Sequence, residues 1–167
     1  MLGRHTTLRL FIPLIFFAPC LALPAKKPVA LSPEDQAFLG IKTFCIDMGE
    51  SNSPQGDRYF RQASDYLKED PKPEKKLGWK WAPDCAKTDA TLHLLFDQSQ
   101  RQTQGNWFGM EIITLLRLRG TLIATQSKKK LAEDTVEAEY SNVPRITDAL
   151  LAKFAKRKQE LLKVRGH

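Results

Sequence analysis

The residues of this chain best suited to moving protons stand within one short segment, where Asp89, Thr91, His93 and Asp97 occupy alternate positions of DATLHLLFD. Side chains of a strand alternate between its faces, so all four would project to one side. A carboxylate, an imidazole and a hydroxyl on one side are the parts of a general acid–base or nucleophilic hydrolase. The spacing works against a self-sufficient site. Residues i and i+4 of a strand lie about 13 Å apart, which keeps Asp89 and Asp97 out of hydrogen-bond reach of His93. Catalysis around His93 and residues 98–106 therefore needs a partner from a neighbouring strand. The plainer reading is the solvent-facing side of a half-buried strand.

Other chemistries have weaker signatures. No serine sits in a GxSxG elbow, and Ser51, Ser53 and Ser127 fall in loops or strand ends. Gly105 and Gly109 bracket Asn-Trp-Phe with no following Lys-Ser or Lys-Thr, so no phosphate loop is written. Asp47, Glu50, Asp84 and Asp89 could offer oxygens to a cation, but neither EF-hand spacing nor a His/Cys cluster accompanies them. Neither a metal nor a cofactor is expected.

Binding residues are the alternative. Trp107 and Phe108, between two glycines, would put aromatic surface at a loop tip or tuck it under a sheet edge. Trp79 and Trp81 share one strand face and read as core. From Lys153 onward six basic residues, including Lys156, Arg157 and Lys158, stand against Glu160 alone. Such a helix end either keeps a small protein solvated or meets an anionic surface.

The elements that must position these residues follow a leader. Arg4 and Arg9 precede an apolar run over residues 10–22, and small residues suit cleavage after Ala22 or Ala25. A membrane anchor needs about 20 unbroken apolar residues, whereas this run is shorter and holds Pro13 and Pro19. Pro19 also stands where a lipobox wants a small residue before Cys20. The expectation is a signal peptide over 1–22, a secreted or periplasmic protein, no membrane span after cleavage, and no nucleic-acid partner. Loss of the leader removes Cys20 and leaves Cys45 and Cys85, an even pair outside the reducing cytosol, which reads as one disulfide.

Beyond a linker and short helix (23–40), a single domain is expected over 41–167. Ser32 and Pro33 can open the short helix, and Gly40 can end it in a left-handed conformation. Residues 41–48 (IKTFCIDM) read as a strand with Phe44, Ile46 and Met48 on one face and Cys45 on the other. Residues 57–69 space Tyr59, Phe60, Ala63, Tyr66 and Leu67 as an amphipathic helix. Pro71 and Pro73 break it, and residues 77–82 form a short strand, completing a βαβ crossover. After the 89–96 strand a Gln-rich loop is expected, then a hairpin over residues 110–127 turning at Arg119-Gly120. Residues 131–140 read as irregular, and Pro144 opens a last helix carrying the basic end. The fold class is α+β (α/β): one βαβ crossover plus antiparallel strands in a mixed sheet, with two main helices against it.

The order strand, helix, LGWKWAPDCAKTDATLHLLF with its DATL tetrad, TLLRLRGTLIATQS and closing helix resembles small bacterial envelope domains. These include uncharacterised secreted proteins and periplasmic domains of the curli-secretion lipoprotein and penicillin-binding-protein activator type. The resemblance implies a non-catalytic module that binds other macromolecules, an envelope protein or an anionic surface being the partner. It carries over no functional residue.

Overall fold

A computed structural model describes residues 30–49, 54–104, 110–139 and 142–165. The expected leader, Glu50, Ser51, Ser53, and the Trp107-Phe108 pair lie outside these residues. Helix α1 (Pro33–Gly40) opens as its sequence suggests: Ser32 Oγ accepts from the Asp35 N–H at 3.1 Å, with Pro33 in the first turn. Its end differs from expectation. Gly40 is the last helical residue with no left-handed φ, and Ile41 closes the turn through its N–H to the Phe38 carbonyl. Phe38, fully buried, docks α1 into the core.

Strand β1 (Thr43–Met48) places Phe44 and Ile46 toward the core and Cys45 on the opposite face. Helix α2 (Pro54–Glu69) buries Ala63 and Leu67. Helix α2 ends at Glu69, ahead of the two prolines expected to break it, and beyond the break the chain begins another helix, α3 (Lys72–Leu77), since Pro73 lies in its first turn, where an N–H has no intrahelical partner to lose. Gly78, at φ 69°, ends it in the left-handed region and donates to the Glu74 carbonyl at 2.8 Å. The strand expected over 77–82 shrinks accordingly to β2 (Lys80–Trp81). Trp79 sits between them with its ring 5.7 Å from that of Phe38 and 6.2 Å from those of Phe44 and Phe154.

A 3₁₀ turn (Cys85–Lys87) leads to β3 (Ala90–Gln104), followed by β4 (Met110–Ala124), β5 (Lys130–Glu139) and helix α4 (Val143–Arg165). The sheet order is β2-β1-β3-β4-β5, with β1 parallel to both β2 and β3 and the remaining pairs antiparallel. The described residues thus form an α+β fold, four helices packed on a five-stranded mixed sheet. One face, with Phe44, Leu92, Leu94, Leu118 and Leu122, takes the helices; the other carries Cys45, Thr91, His93, Arg117 and Glu133 in register.

The hairpin expected at Arg119-Gly120 is absent. β4 runs straight through Gly120, which pairs with Leu94 on one side and Asp134 on the other. Gly120 has no positive φ; a Cβ there would stand 2.4 Å from Leu150 Cδ2, so the glycine lets α4 approach the sheet. The turn falls after β4, where Lys128 takes φ 56° and donates its N–H to the Ala124 carbonyl at 2.9 Å. Residues 131–139, expected to be irregular, are paired strand, and the Gln-rich stretch continues β3 to Gln104 against Met110 as a two-stranded ribbon beyond the end of β5.

The chain from Trp81 to Ala90 passes from one side of β1 to the other, and Cys85 bonds to Cys45 with the two Cα atoms 5.1 Å apart. The staple therefore pins this connection against β1. Cys45 is buried there. The Thr91 hydroxyl, 3.4 Å from Cys45 Sγ, can only donate to it, because a bridged sulfur carries no hydrogen.

Candidate functional site

The sheet supplies what β3 alone could not. Register sets Asp47, His93, Thr121 and Glu133 side by side across β1, β3, β4 and β5, an order of acid, imidazole, hydroxyl and acid. Asp47 Oδ2 lies 3.5 Å from His93 Nδ1, a long contact with the carboxylate more than half exposed. Thr121 donates its hydroxyl hydrogen to Glu133 Oε2 at 3.2 Å, away from the imidazole. A nucleophilic threonine needs that hydrogen aimed at His93. Residues 98–104, expected as a loop beside such a site, run away from it as strand, and Asn106 lies outside the described residues.

Asp89, the other acid of that segment, holds strands together. Its Oδ2 accepts from the N–H groups of Lys42 (2.9 Å) and Thr43 (2.8 Å) and from the Thr43 hydroxyl (3.0 Å), while its own carbonyl accepts from the Thr125 N–H at 3.0 Å. Burial pushes its pKa up, but the three donors outweigh burial and hold the carboxyl below the usual range. A lowered folded pKa means stability that is full above the unfolded value near 4 and is lost as pH falls through the folded value. Asp89→Ala should lower unfolding free energy by about 1–2 kcal/mol at pH 7. As pH falls below the ordinary carboxylate range and through the lowered folded value, the gap between variant and parent should narrow; a gap that persists unchanged in acid would show the contribution is not ionic.

The remaining candidates disperse. Asp84 Oδ1 accepts from the Ala86 N–H at 3.1 Å and its Oδ2 pairs with Lys87 at 3.0 Å, capping the 3₁₀ turn. Among the described residues no three His, Cys, Asp or Glu side chains are placed to hold a metal ion. A polar knot joins three helices: Tyr66 donates to Asp148 at 2.8 Å, and Lys72 bonds to both. Burial pushes the Tyr66 phenol up to about 12, and hydrogen bonds to Tyr66 and Asp148 raise the Lys72 ammonium.

The basic helix end is only partly free. Arg157 Nη2 bonds to Asp35 at 3.1 Å and its guanidinium stacks over Phe38, 5.3 Å from the ring centre. Lys158 donates to the Leu77 carbonyl at the end of α3, and burial lowers its pKa. Lys156 is exposed. Lys153, the first of that basic run, is engaged in a way sequence reasoning did not foresee: it reaches the Thr135 carbonyl at 2.7 Å and Asp134 at 3.1 Å. Beside that bridge a hollow opens along the outer edge of β5, lined by Val136, Glu137 and Ala138 from the strand and Asn142, Arg145, Ile146 and Ala149 from the α4 side. The signal for it is the 3- and 4-residue spacing of Asn142, Arg145, Ala149 and Lys153, one stripe along a helix. No helix among the described residues is long and apolar enough to cross a membrane.

An α+β domain with an edge-strand hollow is what fold and site define. No protein-family model matches the chain, and no curated protein does. Solved structures similar to it include the PelC dodecamer from Paraburkholderia phytofirmans (14% identity over 72% of this chain and 89% of that one, TM-score 0.44). Others are a minor lipoprotein from Acinetobacter baumannii (15%, 72% and 94%, 0.39) and lipoprotein GNA1162 from Neisseria meningitidis (13%, 68% and 98%, 0.40). Two of these three are lipoproteins by name. Likeness at this level carries no activity or partner to this chain.

Proposed function

We propose that this chain is an exported protein of the cell envelope or its surroundings, its leader removed after Ala22 or Ala25, that acts as a non-catalytic binding or accessory module. The observation that supports it is the hollow between β5 and α4, where a strand edge unpaired among the described residues and a helix wall form a surface suited to another chain. The Asp47–His93 contact favours a second reading, a small exported hydrolase.

One preparation tests both. Mature protein recovered from the envelope or medium should begin at Leu23 or Lys26 by N-terminal sequencing; an intact Met1, or lipid on Cys20, would sink the cleavage. The same protein should hydrolyse p-nitrophenyl acetate no faster than its His93→Ala variant. A clear His93-dependent rate would turn the reading toward the hydrolase.

A further inference from the structure

Resting on the binding reading above, we infer that the β5–α4 hollow takes an extended peptide segment of a partner, added as a sixth strand beside β5, with apolar side chains toward α4 and a carboxylate at Arg145. Among the described residues β5 is the last strand of the sheet, with β4 on its inner side alone. Backbone groups of an edge strand point outward at every second residue. The Thr135 carbonyl is one of these, because Lys153 Nζ reaches it from α4. Glu137, two residues on, therefore offers its N–H and carbonyl in the same direction, and its side chain is occupied by Arg117 at 2.7 Å. A strand laid there would satisfy both backbone groups, the main-chain part of β-augmentation. Its alternate side chains would meet Val136, Ala138, Ile146 and Ala149, which fits residues of small or medium apolar size.

Charge selects among occupants. Asp134 is paired with Lys153 and Glu137 with Arg117, whereas exposed Arg145 has no ion pair among the described residues. An acidic group is therefore the complement missing from the hollow. The chain's own N-terminal segment fits poorly, since Lys26 and Lys27 have the wrong sign and Pro24 and Pro28 cannot donate to an edge. A second copy pairing antiparallel through β5 would bring Glu133 and Glu137 against a strand equally acidic. Lys153 limits the length of the seat. Its ammonium occupies the Thr135 carbonyl that an incoming N–H would use, so it acts as an edge guard that a longer strand must displace.

The test uses the mature protein and a fluorescein-labelled ten-residue peptide alternating valine and threonine, with one glutamate on the valine face. A control peptide carries lysine at that position. Fluorescence anisotropy should show saturable binding of the glutamate peptide below about 1 mM, with amide exchange slowed at Glu137. Arg145→Glu should weaken binding about tenfold and restore it for the lysine peptide. Ala149→Trp should abolish it, and Lys153→Ala should strengthen it severalfold by freeing the Thr135 carbonyl. Circular dichroism of each variant checks the fold. No saturable binding, or equal binding by parent, Arg145→Glu and Ala149→Trp, overturns the inference. Competition by phosphatidylglycerol vesicles that Arg145→Glu does not alter also overturns it and makes a lipid surface the occupant. Envelope proteins cross-linking equally to parent and Ala149→Trp would leave the binding reading standing and remove the hollow; a peptide seated as described in a protein never exported would do the reverse.

Discussion

Replacing Cys45 and Cys85 together by serine should lower the unfolding free energy by about 2–4 kcal/mol. The bond closes a separation of 40 residues, for which restriction of the unfolded chain accounts for about 3–4 kcal/mol. A second contribution acts in the folded state. Cys45 is 1% exposed, so a serine there buries a hydroxyl whose nearest partner is Thr91. Urea denaturation measures the loss, and the parent protein in reductant should approach the variant. A difference under about 1 kcal/mol would mean that the connection before β3 is ordered without its staple. Peptide binding at β5 should survive, because β3 and β4 separate β1 from that edge.

The second large effect concerns Gly120. Gly120→Ala would place a methyl 2.4 Å from Leu150 Cδ2 and 3.2 Å from its Cδ1 and Cγ, in a region where Leu150 is fully buried. The leucine has little room to retreat, so a loss of about 2–3 kcal/mol is expected from overpacking. Leu150→Ala alone should cost about 2–5 kcal/mol through the cavity it leaves. It also removes all three atoms that crowd the new methyl. The double variant should then be more stable than the sum of the singles by at least about 1 kcal/mol. Additive losses would sink the close-approach account and return Gly120 to a backbone role. Because Gly120 sets how near α4 lies to the sheet, its alanine variant should also alter peptide affinity at the β5–α4 hollow.

What the sequence disclosed and withheld follows the range of the interactions. Alternation in IKTFCIDM and DATLHLLF is a local property of strands, and it placed Phe44, Leu92 and Leu94 on the core face and Cys45 and His93 opposite. Helical spacing likewise placed Ala63 and Leu67. Gly120 misled because a glycine needed for approach and one needed for a turn look alike until the opposing Leu150 is known. The true turn hid for the converse reason: Thr125, Gln126, Ser127 and Lys128 contain no glycine, yet Lys128 adopts the left-handed conformation. Val136 and Ala138 alternate with Thr135 and Glu137, a strand pattern obscured by the acidic residues that guard an edge. Asp89 and Lys153 act on partners 46 and 18 positions away, and no pattern within a segment reports such bonds.

The position of β1 bears on how the chain can be handled before it folds. Among the described residues the first strand in chain order, β1, lies between two neighbours that come later, with its partners at Lys80–Trp81 and Ala90–Leu94. Thr43 waits for Lys80 and Phe44 for Ala90, so a chain delivered N-terminus first carries TFCIDM without its partner strands until both later segments have emerged, and non-local pairing delays folding. If the chain is exported as proposed, an export machine would be handed through that interval a polypeptide still open enough to thread, and the sulfur bridge would form only on the far side.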